Sequence, residues 1–184
     1  MKQGEENFCD NCFTSQKTVN IPISLYESTK GRYFVGQSET LWVGDGSNAW
    51  AGLFNPNRSG VLLHANVITI SNFSDEYITA EIWLNAKLEE EGAISTKVSP
   101  ANVAIKPEPC NRVEIRYTQS TEQSPTCGVN IFDRIVPPNG TLVSEEDGKF
   151  IVPQCGNYTI FLKPKNCSAL SKVIVALGWW EEPK

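Results

Sequence analysis

From Val19 to the C-terminus the chain is built of short runs rich in Val, Ile, Thr, Tyr, Phe and Trp, broken by Gly, Pro and Asn. This texture constrains the fold more than any other feature. Leu63, Ala65, Val67 and Thr69 share one side of a two-residue repeat. Ile78, Ala80, Ile82 and Leu84 do the same, alternating with Thr79, Glu81 and Asn85. Tyr158, Ile160 and Leu162 alternate with Thr159, Phe161 and Lys163. Period-2 patterning belongs to strands with one buried face. Strands are expected at 21–27, 32–35, 40–43, 60–71, 78–86, 94–98, 113–118, 128–136, 141–144, 149–152, 158–163 and 171–180. Turns are expected at 44–48, 55–57, 137–140 and 146–148, where Gly, Pro, Asn and Asp cluster. The one helix-like stretch, 86–92, is too short to build on. The reading is an all-β, antiparallel β-sandwich of the jelly-roll type spanning residues 19–184. Residues 1–18 are polar, lack either period, and read as a flexible N-terminal arm.

Charge narrows the partners. Lys plus Arg total 16 against 21 Asp plus Glu, a net charge of −5. Nucleic acid and anionic membrane surfaces call for concentrated positive charge, so neither is expected as a partner. No apolar run approaches the roughly 20 residues of a membrane helix. The start of the chain lacks the apolar stretch of about 7–15 residues that a Sec-type signal needs. Asn57, Asn72, Asn139, Asn157 and Asn166 head Asn-x-Ser/Thr triplets. They reflect a chain rich in these residues.

Catalytic and metal chemistry find little support. His64 is the single histidine and lies inside a strand-like run. It has neither a Gly-x-Ser-x-Gly elbow nor a phosphate-binding glycine loop to work with. The acidic runs at 89–91 and 145–147 abut glycines and read as solvated turns. Cys9 and Cys12 form a CxxC, but a zinc site needs a second close pair of ligands. A thioredoxin-like motif would open a helix in a βαβ unit. No enzymatic activity, cofactor or metal is expected. Trp50, Trp179 and Trp180 are candidate exposed aromatics for an interface or a ligand. Trp179 and Trp180 are adjacent, so in a strand one of them points outward.

The chain carries six cysteines. Cys9 and Cys12 lie on the arm; Cys110, Cys127, Cys155 and Cys167 lie in the sandwich. If the C-terminal strands simply run up and down, Cys110 and Cys155 fall at one end. Cys127 and Cys167 then fall at the other. Cys155 and Cys167 flank a single strand, about 20 Å apart, beyond the roughly 7 Å a disulfide allows between Cα atoms. An extended 18-residue arm reaches up to about 60 Å. Cys9 and Cys12 are therefore candidates for disulfides to a neighbouring molecule. Either end pair supplies the acceptors, and the other closes within the domain or stays reduced.

Particular stretches carry a resemblance. Arg32-Tyr33-Phe34-Val35-Gly36-Gln37, Asn48-Ala49-Trp50-Ala51, Leu53-Phe54-Asn55-Pro56, Ser59-Gly60-Val61 and Glu81-Ile82-Trp83 resemble an uncharacterised domain family of spore-forming Firmicutes, over about residues 20–180. A cysteine-bearing arm, a sandwich and a Pro-Pro-Asn-Gly turn are similar in architecture to endospore appendage subunits. In those proteins N-terminal connectors form disulfides with neighbours. This chain differs in its length, its CxxC and the absence of clear acceptor positions. The resemblance implies an extracellular or spore-surface location without a Sec signal, the protein being released when the mother cell lyses. It also implies a homopolymer, with other spore-surface proteins as further partners.

The expected function is therefore a structural, self-assembling subunit of a disulfide-cross-linked fibre. The alternative is a carbohydrate-binding or adhesive surface module with exposed tryptophans as its platform.

Overall fold

The computed structural model describes residues 18–165 and 170–184. These form helix α1 (Ile23–Thr29) and strands β1 (Tyr33–Gln37), β2 (Leu41–Val43), β3 (Asn48–Phe54), β4 (Val61–Asn72), β5 (Ile78–Leu84) and β6 (Ala93–Ile94). Then follow β7 (Val98–Pro100), β8 (Glu114–Thr121), β9 (Val129–Val136), β10 (Gly140–Val152), β11 (Asn157–Pro164) and β12 (Ser171–Pro183). One sheet has the order β10-β4-β12-β1-β7, with β2 also paired to β12; the other runs β6-β8-β3-β11-β5-β9. The strand pairs are antiparallel. Phe34, Leu63, Ile70, Val175 and Trp179 from the first sheet meet Ala51, Leu53, Ile82, Tyr158 and Ile160 from the second in one core. The all-β sandwich expected from the alternation is the observed architecture.

Three local expectations differ from the structure, each for a physical reason. Residues 23–29 are helical. Pro22 sets the entry with φ −57°, and Gly31, at φ +70°, closes the helix. The Gly31 N–H donates to Ser28 O at 3.0 Å and the Arg32 N–H to Glu27 O at 3.0 Å, the paired bonds of a Schellman cap. Residues 140–152 form a single strand, and the expected turn at 146–148 is a bulge between Glu145 and Phe150. Asp147 and Gly148 there take φ +51° and +71°. Gly148 lies flat on Trp180, where a Cβ would stand 1.7 Å from the ring. Finally, β3 went unread because it does not alternate. Ala49, Trp50, Ala51, Gly52 and Leu53 are all buried. Gly92, just before β6, packs over the outer face of β3 against Trp50.

The two sheets are tied by a buried carboxylate. Glu181, near the end of β12, accepts the backbone N–H groups of Arg112 and Val113, each at 2.9 Å, and the Trp179 indole N–H at 3.2 Å. Burial pushes the Glu181 carboxyl above its ordinary value, and the hydrogen bonds from Val113, Arg112 and Trp179 oppose that push. We expect Glu181→Ala to cost about 2–4 kcal/mol, since it strands buried donors. The sign of the pH effect follows from the raised value. Stability from this group is complete below the ordinary glutamate value and is lost as pH rises through the folded one. In denaturant titrations the parent should therefore lose ground to Glu181→Gln as pH is raised from acid to neutral. A gap independent of pH would contradict this.

Candidate functional site: the thiol-bearing end of the sandwich

The strand registers put Leu53, Leu84, Ile115, Val129 and Tyr158 at one level of the second sheet. The loops just beyond that level form one end of the sandwich. Buried asparagines hold them. The Asn55 amide donates to Val61 O and Val152 O, both at 3.0 Å. The Asn157 amide donates to Ala86 O at 2.9 Å. Each replaces backbone bonds that end where the strands part.

Cys110, Cys127 and Cys155 all sit on this end, exposed and unbonded. The Cys155 N–H donates to Asn55 O at 2.8 Å. Cys127 and Cys155 take φ +57° and +66°. A non-glycine residue in this left-handed region is uncommon. Here each of the two is followed directly by a glycine packed on Asn85. A Cβ on Gly128 would lie 2.6 Å from Asn85 O, and one on Gly156 would lie 2.8 Å from Asn85 Oδ1. Cys110 lines a small cleft of about 150 Å³ with Gly31, Arg32, Arg112, Glu181 and Pro183.

This placement corrects the expected parity of the cysteines. Cys127 shares the end of Cys110 and Cys155. β8 rises from Glu114, paired with Phe54, and β9 rises from Val129, paired with Leu84, so the two strands run in the same direction. The connection between them returns along the outside of the sheet. Because 140–152 is one strand and not two, the second miscount cancels the first for Cys155. Cys9, Cys12 and Cys167 lie outside the described residues.

The expected exposed tryptophans are also corrected. Trp50, Trp179 and Trp180 are buried. Trp179 stacks on Phe34 in the core at 5.9 Å. Trp180 does point out of the sheet, but His64 stacks on it at 4.9 Å and Gly148 lies against its ring. Trp50 is covered by Gly92. Apart from Tyr26 on α1, the exposed aromatics of note, Trp42, Phe73 and Tyr77, lie towards the opposite end. Trp42 is 40% exposed and pairs in register with Lys172. The Lys172 ammonium lies 5.3 Å from the Phe73 ring, and Lys165 lies 5.1 Å from Tyr77. The sequence held a clue, since β2 alternates Leu41, Trp42 and Val43 and leaves the tryptophan alone on its face.

Two titratable side chains are held tightly within the fold. His64 has Nδ1 3.2 Å from Gly148 O and Nε2 2.8 Å from Glu182 Oε2. With an acceptor at each nitrogen, the ring clips the β10 bulge to β4 and β12. Tyr158 is buried with its hydroxyl beside Glu146. Burial first, and the nearby Glu146 charge second, push its phenol far above the ordinary range, so it stays un-ionised. Among the described residues no group of three or more His, Cys, Asp or Glu is arranged to hold a metal ion. No helix among them is long and apolar enough to cross a membrane.

Sequence reading missed two features of this end. One is the pair Arg32 and Arg112 beside Cys110. The other is an apolar collar at the root of the arm: Val19, Ile21, Ile23, Leu25 and Tyr26 are all exposed. The alternation of 21–27 hinted at a buried face. The helix instead buries Glu27, paired with Arg32 at 2.6 Å, and leaves the apolar side chains outside.

If the thiols are as accessible as this geometry makes them, native reduced protein treated briefly with iodoacetamide should be alkylated at Cys110, Cys127 and Cys155. Peptide mass spectrometry reads the outcome. Protection of any of the three until denaturant is added would contradict the placement. His64→Ala should lower stability by about 1–3 kcal/mol through loss of the stacked ring and its bonds, without altering alkylation of these thiols.

The chain matches none of the curated proteins and none of the solved structures with which it was compared. One family model does match, that of a family of unknown function (DUF6143), over residues 6–184. The match takes in Cys9 and Cys12 as well as the sandwich. Spanning all but the first five residues, it places this chain in the DUF6143 family of unknown function.

Proposed function

We propose that this protein is a structural subunit that assembles with copies of itself into a disulfide-cross-linked fibre, its N-terminal arm coupling to a neighbour. The observation that carries the reading is the concentration of Cys110, Cys127 and Cys155, all exposed, at one end of the sandwich. The arm adds Cys9 and Cys12. The family model extends over that arm, which fits an arm belonging to the working unit. Coupling joins two thiols as one disulfide and passes two electrons and two protons to an oxidant, here a small-molecule disulfide that leaves as two thiols. A disulfide between subunits makes dissociation depend on bond cleavage as well as on loss of the packed interface.

The finer description of the fold belongs to the same proposal. The order β10-β4-β12-β1 opposite β9-β5-β11-β3, with most successive strands crossing between sheets, fits a jelly roll. β7 extends one sheet; β8 and β6 extend the other. An extracellular or spore-surface setting rests on the resemblance to spore-forming Firmicutes and appendage subunits. That setting supplies the oxidising conditions such bonds need.

A second reading draws on Trp42, Phe73 and Tyr77, exposed beside Lys172 and Lys165. Aromatic faces of this kind suit a sugar or another adhesive contact. The two readings part in one experiment. The parent, a chain lacking residues 1–18, and a Cys9→Ser/Cys12→Ser variant are oxidised with a small-molecule disulfide. Each is then run on gels without reductant. The parent should stay polymeric in hot detergent, while both variants should fall to monomer with the sandwich still folded. Equal polymers from all three would remove the arm as coupler. A parent that stays monomeric yet binds a glycan array would favour the second reading.

A further inference from the structure

The root of the arm lies at the end that carries the three thiols. α1 packs beside the end of β12: Ile23, Glu27, Arg32, His64, Trp180 and Glu182 line a cleft of about 370 Å³. This cleft and the smaller one beside Cys110 share Arg32 and Pro183. Gly31, directly after α1, packs against Pro109, next to Cys110, with a Cβ position 2.8 Å from the proline ring. The described chain begins at Thr18, so Cys12 is six residues further out and Cys9 nine. At up to about 3.5 Å per residue their reaches are about 20 and 30 Å. β12 has 13 residues. At about 3.3 Å each it spans roughly 40 Å, so neither arm thiol reaches the far end of the sandwich from its root.

We propose that this end is a reciprocal joint between two copies of the chain. The arm of each copy enters the cleft at Arg32 and Pro183 of the other, and Cys12 forms a disulfide with Cys110 there. Three observations select a second copy as the occupant. The collar of Val19, Ile21, Ile23 and Leu25 is exposed in the single chain, Val19 at 81%. Its burial against the same collar of a second molecule removes that surface from water on both sides. The arm carries Glu5, Glu6 and Asp10 around its cysteines, and Arg112 lines the cleft beside Arg32, which is itself paired with Glu27. Donor and acceptor also lie at one end, so mutual exchange about a two-fold axis satisfies both arms within their short reach. In the coupling, the Cys12 and Cys110 thiols become one disulfide, and oxidised glutathione, taking the two electrons and two protons, leaves as two glutathione molecules.

This joint rests on the covalent-assembly reading, but it specifies partner and symmetry, and it can fail separately. The test mixes equal amounts of ¹⁵N-labelled and unlabelled full-length protein, oxidised with glutathione disulfide at low protein concentration. A covalent dimer is expected first. Its proteolytic digest should contain the Cys12–Cys110 peptide pair as hybrids of labelled and unlabelled halves. Cys110→Ser should lose that dimer, and Arg112→Glu should slow its formation, with circular dichroism unchanged in both. A Cys12–Cys110 pair without hybrids shows the arm closing on its own chain and overturns the proposal. Undiminished polymers from Cys110→Ser overturn the joint while leaving covalent assembly standing. No disulfide-linked oligomer from any variant, parent included, sinks both.

Discussion

The end of the sandwich that carries Cys110 depends on one buried carboxylate. Glu181 ends the long central strand β12 and grips the backbone at Arg112 and Val113 on the far side of the sandwich. A carboxylate out of water is costly unless its lone pairs are filled. Here backbone donors and an indole fill them. The grip fixes where β8 starts, and therefore where the 101–112 segment and Cys110 lie. It also holds Arg32, whose carbonyl accepts the Glu181 N–H at 2.9 Å. Burial favours the protonated carboxyl, so the clamp's contribution to stability falls as pH rises towards neutral.

Much of the fold was legible from the sequence because its strands alternate. β4, β5 and β11 carry the two-residue repeat in sequence, and their expected bounds lie within two residues of the observed ones. What could not be read is instructive. β3 is buried on both sides, so the period that marks a strand is absent. The 146–148 segment has turn chemistry, Asp then Gly at positive φ, but spends it on a bulge that seats Gly148 on Trp180. α1 has strand-like residues, yet Pro22 and Gly31 frame a helix. Local chemistry named the backbone conformations correctly and left open what they would be used for.

The candidate site was legible in its parts and not in its arrangement. The cysteines could be counted, but their ends depended on strand direction. A return connection that adds no strand reversed Cys127, and an undivided β10 restored Cys155. The tryptophans failed for a different reason. A side chain pointing out of a sheet is buried whenever a loop or ring covers it, and His64 and Gly148 cover Trp180. Aromatic exposure is a property of the covering segments, which period-2 reasoning does not see. The same logic explains the collar at α1: among the described residues no segment covers its apolar side chains.

These features describe a unit with one strongly marked end. It carries three accessible thiols, two arginines beside a cleft, an apolar collar and the root of a two-cysteine arm. The other end carries Trp42, Phe73 and Tyr77 beside lysines. An end rich in thiols suits covalent joining, and Cys9, Cys127 and Cys155, left over when Cys12 pairs with Cys110, are the thiols through which a linked pair can lengthen covalently. The central claim is that disulfides between chains hold an ordered assembly together. Negative-stain electron microscopy of the oxidised full-length protein, before and after reductant in detergent, tests it most directly. Ordered fibres that survive detergent alone and vanish when reductant is added are the result the account predicts. Dispersed single sandwiches in the oxidised sample, with every thiol unpaired or paired within its own chain, would contradict it.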